Sequence, residues 1–142
     1  MNGNLRAASR FFNLPLREKA VVGEATLILA LVASGLRVAP GSWIGRALRQ
    51  ASKSEGKPLI GSAMPIAQTV QRVARYVPNA SCLAQALTAW VMLRRRRLPA
   101  RVAIGVRSRD ATITAHAWLE SGGHIVLGAE EAQEHKRFPS SE

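Results

Sequence analysis

The sequence contains a single cysteine, Cys82, so no disulfide can form within the chain. A lone thiol is best preserved in a reducing compartment, and we therefore expect a cytoplasmic protein. The first residues, 1–13, lack an apolar signal-peptide core with a small-residue cleavage site, so no export signal is predicted. Paired Cys and His at the short spacings of a zinc site are also missing, and we expect neither a metal nor another cofactor.

Acidic and aromatic residues are scarce. Nine Asp and Glu against 20 Lys and Arg give a net charge of +11, and such a field attracts nucleic acid, anionic lipid or acidic peptides. Aromatic residues make up only 5% of the chain, so the basic and aromatic platform on which bases stack is not visible. We expect no nucleic-acid partner. A non-enzymatic protein that binds nucleic acid or a membrane surface stays open as an alternative.

Apolar runs are short. The longest, residues 25–36 (ATLILALVASGL), has about twelve residues, whereas a spanning helix needs about twenty. Charged residues, Glu24 and Arg37, bound this run on both sides. We interpret it as part of a core helix and expect no stable membrane insertion.

The first part of the chain, about 14–77, favours helices. Helix-forming residues occupy 16–33 and a shorter amphipathic segment at 43–51, and the polar stretch 52–58 (SKSEGKP) predicts a loop. After Pro65, apolar residues repeat at helical spacing: Ile66, Val70, Val73 and Val77.

The second part, about 78–131, begins with the strongest helical pattern, which starts at Cys82 and stops before Leu98-Pro99. Three runs rich in β-branched residues follow and predict an antiparallel sheet: 102–106, 112–119 and 125–127. Residues 132–142 are predicted to be a polar tail. We therefore predict one α+β domain over 1–142, in which a helical N-terminal half precedes a helix packed on a small sheet.

Cys82 follows Ser81 at the predicted helix start. Backbone N–H groups and the positive end of the helix dipole favour a thiolate there over a thiol. A lone cysteine more often packs as a small buried apolar residue. Assigning a catalytic role to Cys82 therefore also requires a candidate base.

His116 is the candidate base. Strand alternation in TITAHAWLE places it on the same face as Trp118 and Glu120. A Cys at a helix start that faces a His on a strand is how cysteine peptidases and transglutaminases deprotonate sulfur and later protonate the leaving amine. A half-buried histidine with a purely structural role is the alternative.

The segment NASCLAQALTAWVMLRRRRLPARVAIGVRS, followed by AHAWLESGGHIVLG, resembles the leader-peptidase portion of lasso-peptide biosynthesis B proteins. These bacterial proteins fall within the transglutaminase-like superfamily of cysteine peptidases, which has a papain-like core. The resemblance covers residues 78–128, and the preceding half is similar in length and apolarity only.

The resemblance implies a cysteine protease that removes the leader from a ribosomal precursor peptide, after which a separate lasso cyclase forms the macrolactam. It also implies a narrow pocket for a Thr at the second residue before the cut. No leader-binding winged-helix domain is visible in the sequence, so a separate leader-recognition protein is expected as a partner, beside the precursor and the cyclase. A transglutaminase-like acyl transfer to an amine is the alternative.

In the family, the third catalytic residue is usually an Asp on the strand after the histidine. A three-residue hairpin loop at 121–123 would place Gly128 opposite His116. Glu130, two residues further and diagonal on the same face, is then the predicted orienting carboxylate. A Cys–His dyad or a backbone carbonyl partner are the alternatives.

The oxygen of the carbonyl group that the nucleophile attacks becomes negatively charged in the reaction. We expect the backbone N–H of Cys82 and one further donor to stabilise this oxyanion. Asn79 and Gln85 are the candidates, and a cap or an exposed helix residue is the alternative for each. Trp118 is expected either to shield the imidazole from water or to pack in the core.

Overall fold

The computed structural model describes residues 9–10, 12–53, 60–132 and 136–137. Helices form the first part of the chain: α1 (Leu16–Val38), α2 (Gly41–Ala51), α3 (Ile60–Ala74) and α4 (Cys82–Arg95). Strands and a short helix follow: β1 (Arg101–Arg109), β2 (Thr112–Ser121), β3 (His124–Leu127), α5 (Ala129–Ala132) and β4 (Lys136–Arg137). The predicted α+β class is confirmed. Most of the predicted loop at 52–58 lies outside the described residues.

α4 is the central helix. Ser81 caps it by accepting a hydrogen bond from the Ala84 N–H at 3.2 Å. The helix packs against α1, α3 and both long strands, and it is buried on most of its circumference: Ala84, Ala86, Leu87, Thr88, Ala89, Met92 and Leu93. This burial fixes where the N-terminus of α4, and with it Cys82, lies relative to the sheet.

α4 ends in the basic run. The Leu98 N–H donates to the Leu93 carbonyl at 2.9 Å, and the Arg97 N–H donates to the Arg94 carbonyl at 2.9 Å. Arg97 itself is left-handed, with φ at 56°, so the end is a Schellman motif. Pro99 comes next and cannot continue the helix, as the sequence predicts.

An ion pair joins the end of α4 to α1. Arg96 donates to the two carboxylate oxygens of Glu24 at 2.6 and 3.3 Å, and Arg95 lies 3.2 Å away. The hydrogen bond from Arg96 lowers the pKa of Glu24, and partial burial opposes that effect. Because the folded-state pKa is lowered, the stabilisation is present above the ordinary glutamate pKa and is lost as the pH falls through the folded value.

α3 starts earlier than its sequence predicts. We expected a helix after Pro65, but the helix begins at Ile60 and includes this proline. Pro65 removes one backbone donor from the helix, and Ala63 in the preceding turn is fully buried, so core packing offsets the missing hydrogen bond. The predicted stripe is confirmed for the buried Ile66, Val70 and Val73. It is wrong for Val77, which lies beyond the end of the helix at Ala74.

α1 buries one face only. Ala25, Leu29 and Ala33 are buried, whereas Leu27 and Leu31 expose 62% and 64% of their surface. The interpretation as a core helix is therefore correct for one face, where α3 and α4 pack, and wrong for the other. By length and composition α1 could cross a membrane, a property that soluble core helices and signal sequences share.

The sheet is antiparallel, with strand order β3-β2-β1-β4. The three predicted strands are confirmed, and β4 adds a short fourth strand from the segment predicted to be a polar tail, at the edge of β1. β1 and β2 pair in a register that places Gly105 opposite His116. The sheet contributes Ala117 and Leu119 to the core that it shares with the helices, and His116 and Trp118 alternate with these residues along β2.

Candidate active site

Cys82 is the first residue of α4, as predicted. Its side chain is half-buried against the core. Ser81 accepts from the N–H of Ala84 through its hydroxyl and from the N–H of Gln85 through its carbonyl. By helix geometry, the N–H groups of Cys82 and Leu83 have no partner within the helix. Together with the helix dipole, they are placed to stabilise negative charge on a carbonyl oxygen bound beside the sulfur.

His116 lies at the middle of β2 and is half-buried, with its Nε2 atom fully buried. Gly128 lies directly against the ring: a Cβ built on this glycine would be 3.1 Å from Nε2 and 3.1 Å from the Trp118 Cβ. Gly128 also has a φ of 79°, which L side chains rarely adopt. Glycine is therefore favoured at this position for two reasons: it adopts the positive φ, and it has no side chain that would contact the imidazole.

The packing of α4 on β2 makes the elements that carry Cys82 and His116 neighbours. Within the described part of the chain, no hydrogen bond joins the Cys82 sulfur to His116. Cys82 and His116 therefore lie on elements that pack against each other, and a proton transfer between them requires the sulfur and the imidazole to come within hydrogen-bond distance.

A sequence model of the transglutaminase-like superfamily matches residues 27–140. The chain belongs to the transglutaminase-like superfamily. The match includes both α4 and β2, and hence Cys82 and His116. This superfamily includes cysteine peptidases and acyltransferases, which generally depend on a cysteine. Neither the curated proteins nor the solved structures that were compared gave a match.

The two predicted oxyanion donors have structural contacts in this superfamily member. Asn79 is exposed and left-handed, with φ at 61°, and its carbonyl accepts from the Ser81 N–H at 2.8 Å. The Gln85 side chain donates from Nε2 to the Ala80 carbonyl at 2.9 Å. Gln85 therefore braces the backbone just before Cys82, and its amide carries a second hydrogen that a substrate could meet. Their roles toward substrate stay predictions.

A buried polar network lies on the His116 face of the sheet. Trp118 is 3% exposed, and its indole N–H donates to Glu120 Oε1 at 2.9 Å. Arg101, directly across on β1, donates to Oε2 of the same carboxylate from Nε and from a terminal nitrogen, both at 2.7 Å. Both oxygens of Glu120 are therefore satisfied, and Trp118 is fixed beside His116.

The sequence reasoning did not identify this network as a unit. Alternation had already placed His116, Trp118 and Glu120 on one face, and the burial of Glu120 at 5% exposure is the feature that the sequence does not show. The basic residue at the start of the preceding strand, Arg101, was the available signal, because an antiparallel hairpin brings it opposite Glu120.

The expected three-residue hairpin loop is wrong. Only Gly122 and Gly123 form the loop between β2 and β3, and Ser121 pairs with His124. Both glycines are left-handed, with φ at 64° and 78°, which is typical of the tight turn that matches strand twist. Ser121 is buried and donates to the Pro99 carbonyl at 2.7 Å, so it belongs to the strand.

The register also changes along the hairpin. A bulge between Leu119 and Glu120 shifts the pairing, so Leu119 faces Leu127, where β3 ends. Glu130 is consequently not on a strand diagonal to His116, as expected, but exposed in the short helix α5, two residues after Gly128. Glu130 stays a predicted carboxylate partner, on a different element from the one that was expected.

A groove of about 340 Å³ lies away from these residues, on α1 and α3. Its lining combines apolar side chains with polar and charged ones, among them Arg17, Glu18, Arg72 and Arg96. Cys82 and His116 do not line it. Among the described residues, no group of three or more His, Cys, Asp or Glu side chains could hold a metal ion.

Proposed function

We propose that this chain is a cysteine peptidase that removes the leader from a ribosomal lasso-peptide precursor before a separate cyclase forms the macrolactam. One observation carries the proposal: Cys82 begins a buried helix that packs on the strand of His116, in a member of a superfamily that includes cysteine peptidases. The resemblance of residues 78–128 to lasso-peptide B proteins supports the choice of precursor. In this proposal the protein acts in the cytoplasm.

Cleavage proceeds in two steps. The Cys82 sulfur attacks the carbonyl carbon at the end of the leader, and His116 takes the thiol proton and gives it to the departing amine of the core peptide. Water then attacks the leader thioester, which releases the leader carboxylate and restores the thiol. The N–H groups at the start of α4 stabilise the oxyanion in both steps.

The first prediction tests this function with the precursor and a separate leader-recognition protein. Incubation of all three should give leader and core peptides whose masses sum to the precursor plus one water, as measured by mass spectrometry. At low peptide concentration the partner should raise the rate about tenfold or more, because it concentrates the peptide at the site. The absence of cleavage in the complete mixture, with a correctly folded chain, would overturn the peptidase proposal.

Acyl transfer is the second candidate, because the superfamily also includes acyltransferases. In that reaction an amine replaces water in the second step, so the leader amide is heavier than the free leader acid by the mass of the amine less one water. Incubation with excess primary amine distinguishes the two: a leader that ends in a free carboxylate supports the peptidase, and a leader amide as the main product supports the transferase.

A second prediction concerns Glu130. If its carboxylate orients the imidazole, Glu130→Gln should reduce turnover on the order of ten- to a thousandfold with little change in thermal unfolding, because the side chain is exposed. Glu131→Gln, with the same loss of charge at the adjacent position, is the control. A turnover of Glu130→Gln within about twofold of the wild type would favour a Cys–His dyad.

A further inference from the structure

An apolar stripe covers the outer face of α1, opposite to the face that it buries. Positions three and four apart share one side of a helix. On this side every residue is exposed, none is charged, and all but one serine are apolar: Leu16, Ala20, Gly23, Leu27, Ala30, Leu31, Ser34 and Val38. We name these residues the α1 stripe. Its largest members expose between 62% and 84% of their surface, and it follows the helix for about 33 Å.

The surroundings of the α1 stripe are basic. Just after Val38, α2 begins, and its Trp43 is 70% exposed. From residue 25 to residue 53 the sequence contains no Asp or Glu, but it contains three arginines and one lysine. Arg37, Arg46 and Arg49 are all exposed. The end of the stripe at Val38 therefore combines an exposed indole ring with exposed positive charge.

The chemistry of the α1 stripe restricts what can cover it. Proteins rarely leave a largely apolar face of this length in water, so its cover must be apolar along the helix and negative at the margin. A second copy would offer an apolar face, but it would also bring another charge of +11 against these arginines. An anionic bilayer offers acyl chains to the leucines, an interfacial layer to the indole and phosphates to the arginines.

The buried face of α1 determines how this helix can lie relative to a membrane. Ala25, Leu29 and Ala33 are in the protein core, against α3 and α4. A spanning helix would have to withdraw them from that core, whereas a helix in the plane of the membrane keeps them in place. The folded chain can therefore use the α1 stripe without inserting a transmembrane segment.

We propose that the α1 stripe and Trp43 dock the folded chain on the surface of an anionic phospholipid bilayer, with α1 parallel to the membrane plane. Docking depends on burial of the leucines and on attraction between the exposed arginines and the lipid phosphates. It does not require the peptidase activity proposed for Cys82.

Co-sedimentation of the full chain with vesicles tests this proposal. The chain should bind vesicles of phosphatidylcholine mixed with phosphatidylglycerol, should bind phosphatidylcholine alone at least about tenfold more weakly, and should be released by salt. The double substitution Leu27→Gln and Leu31→Gln should weaken binding at least about tenfold, because it removes two apolar side chains from the contact. Trp43 should move to an apolar environment, so vesicles should shift the fluorescence of the wild type and not that of Trp43→Phe.

The matched control is Ile113→Gln. Ile113 is 73% exposed on β2, so this substitution also removes a bare apolar side chain, but away from α1, and vesicle binding should not change. Circular dichroism and precursor cleavage in solution should stay at wild-type levels in all variants. Equal binding to neutral and anionic vesicles, or undiminished binding by the double variant, would overturn the proposal. Light scattering would also overturn the proposal if it showed that the wild type forms a dimer which the double variant does not form, and if the wild type did not bind vesicles.

Discussion

The Cys82→Ala variant is expected to lose cleavage of the precursor completely, to the level of the uncatalysed reaction. The thiolate forms the covalent bond of the first step, and a methyl group cannot replace it. Cys82→Ser should also be inactive within the sensitivity of mass spectrometry, because a hydroxyl is far less ionised than a thiol at neutral pH. The side chain is only half-buried, so thermal unfolding should change by no more than about 1 kcal/mol.

The control for this prediction is Ser81→Ala, next to the proposed nucleophile. It removes the hydrogen bond from the Ala84 N–H and should cost about 1 kcal/mol of stability, but it leaves the sulfur in place. We expect this variant to retain measurable turnover, in contrast to Cys82→Ala. Cleavage by Cys82→Ala at the wild-type rate would exclude Cys82 as the nucleophile, and with it the proposed enzyme.

The parts of the fold that the sequence predicts correctly depend on local signals. Ser81 and Pro99 bound α4, and both act through groups within a few residues of the helix end. The alternation of β2 likewise follows from the chain itself, so the shared face of His116 and Trp118 could be predicted. Cys82 and His116 could be predicted as nucleophile and base because each lies on one of these two elements.

The parts that could not be predicted depend on contacts between distant segments. Pro65 is a strong local reason to begin α3 late, and only the packing of Ala63 in the core explains the earlier start. The exposure of Leu27 and Leu31 has a similar cause: the sequence of an apolar helix does not show whether other elements cover one of its faces or all of them.

The hairpin register shows the same limit at the site. The choice between a loop of two and a loop of three residues depends on whether Ser121 belongs to the strand, and Ser121 is held there by the carbonyl of Pro99. The bulge that follows displaces Glu130 from its expected position by a further residue. Each step changes which side chain meets His116, because strand faces alternate at every residue.

Gly128 is the residue for which these corrections have the largest consequence, since any side chain at this position would meet His116 Nε2. Gly128→Ala places a methyl group 3.1 Å from that nitrogen and from the Trp118 Cβ. The ring must shift by a few tenths of an ångström, and since a displacement of about 1 Å costs on the order of a hundredfold in turnover, we expect a loss of up to about that size. The positive φ and the tight contact together should lower stability by about 2 to 4 kcal/mol.

Gly123→Ala separates the two causes. Gly123 has nearly the same φ, 78° against 79°, but a Cβ built there meets nothing within 4 Å. Both variants should lose about 1 kcal/mol to backbone strain, as measured by thermal denaturation, and only Gly128→Ala should lose turnover when rates are compared at a temperature where both are folded. Because the strain is matched, any difference in turnover reports the contact with the imidazole. Equal turnover in the two variants would show that His116 tolerates the displacement, and that its present position is not the one used in catalysis.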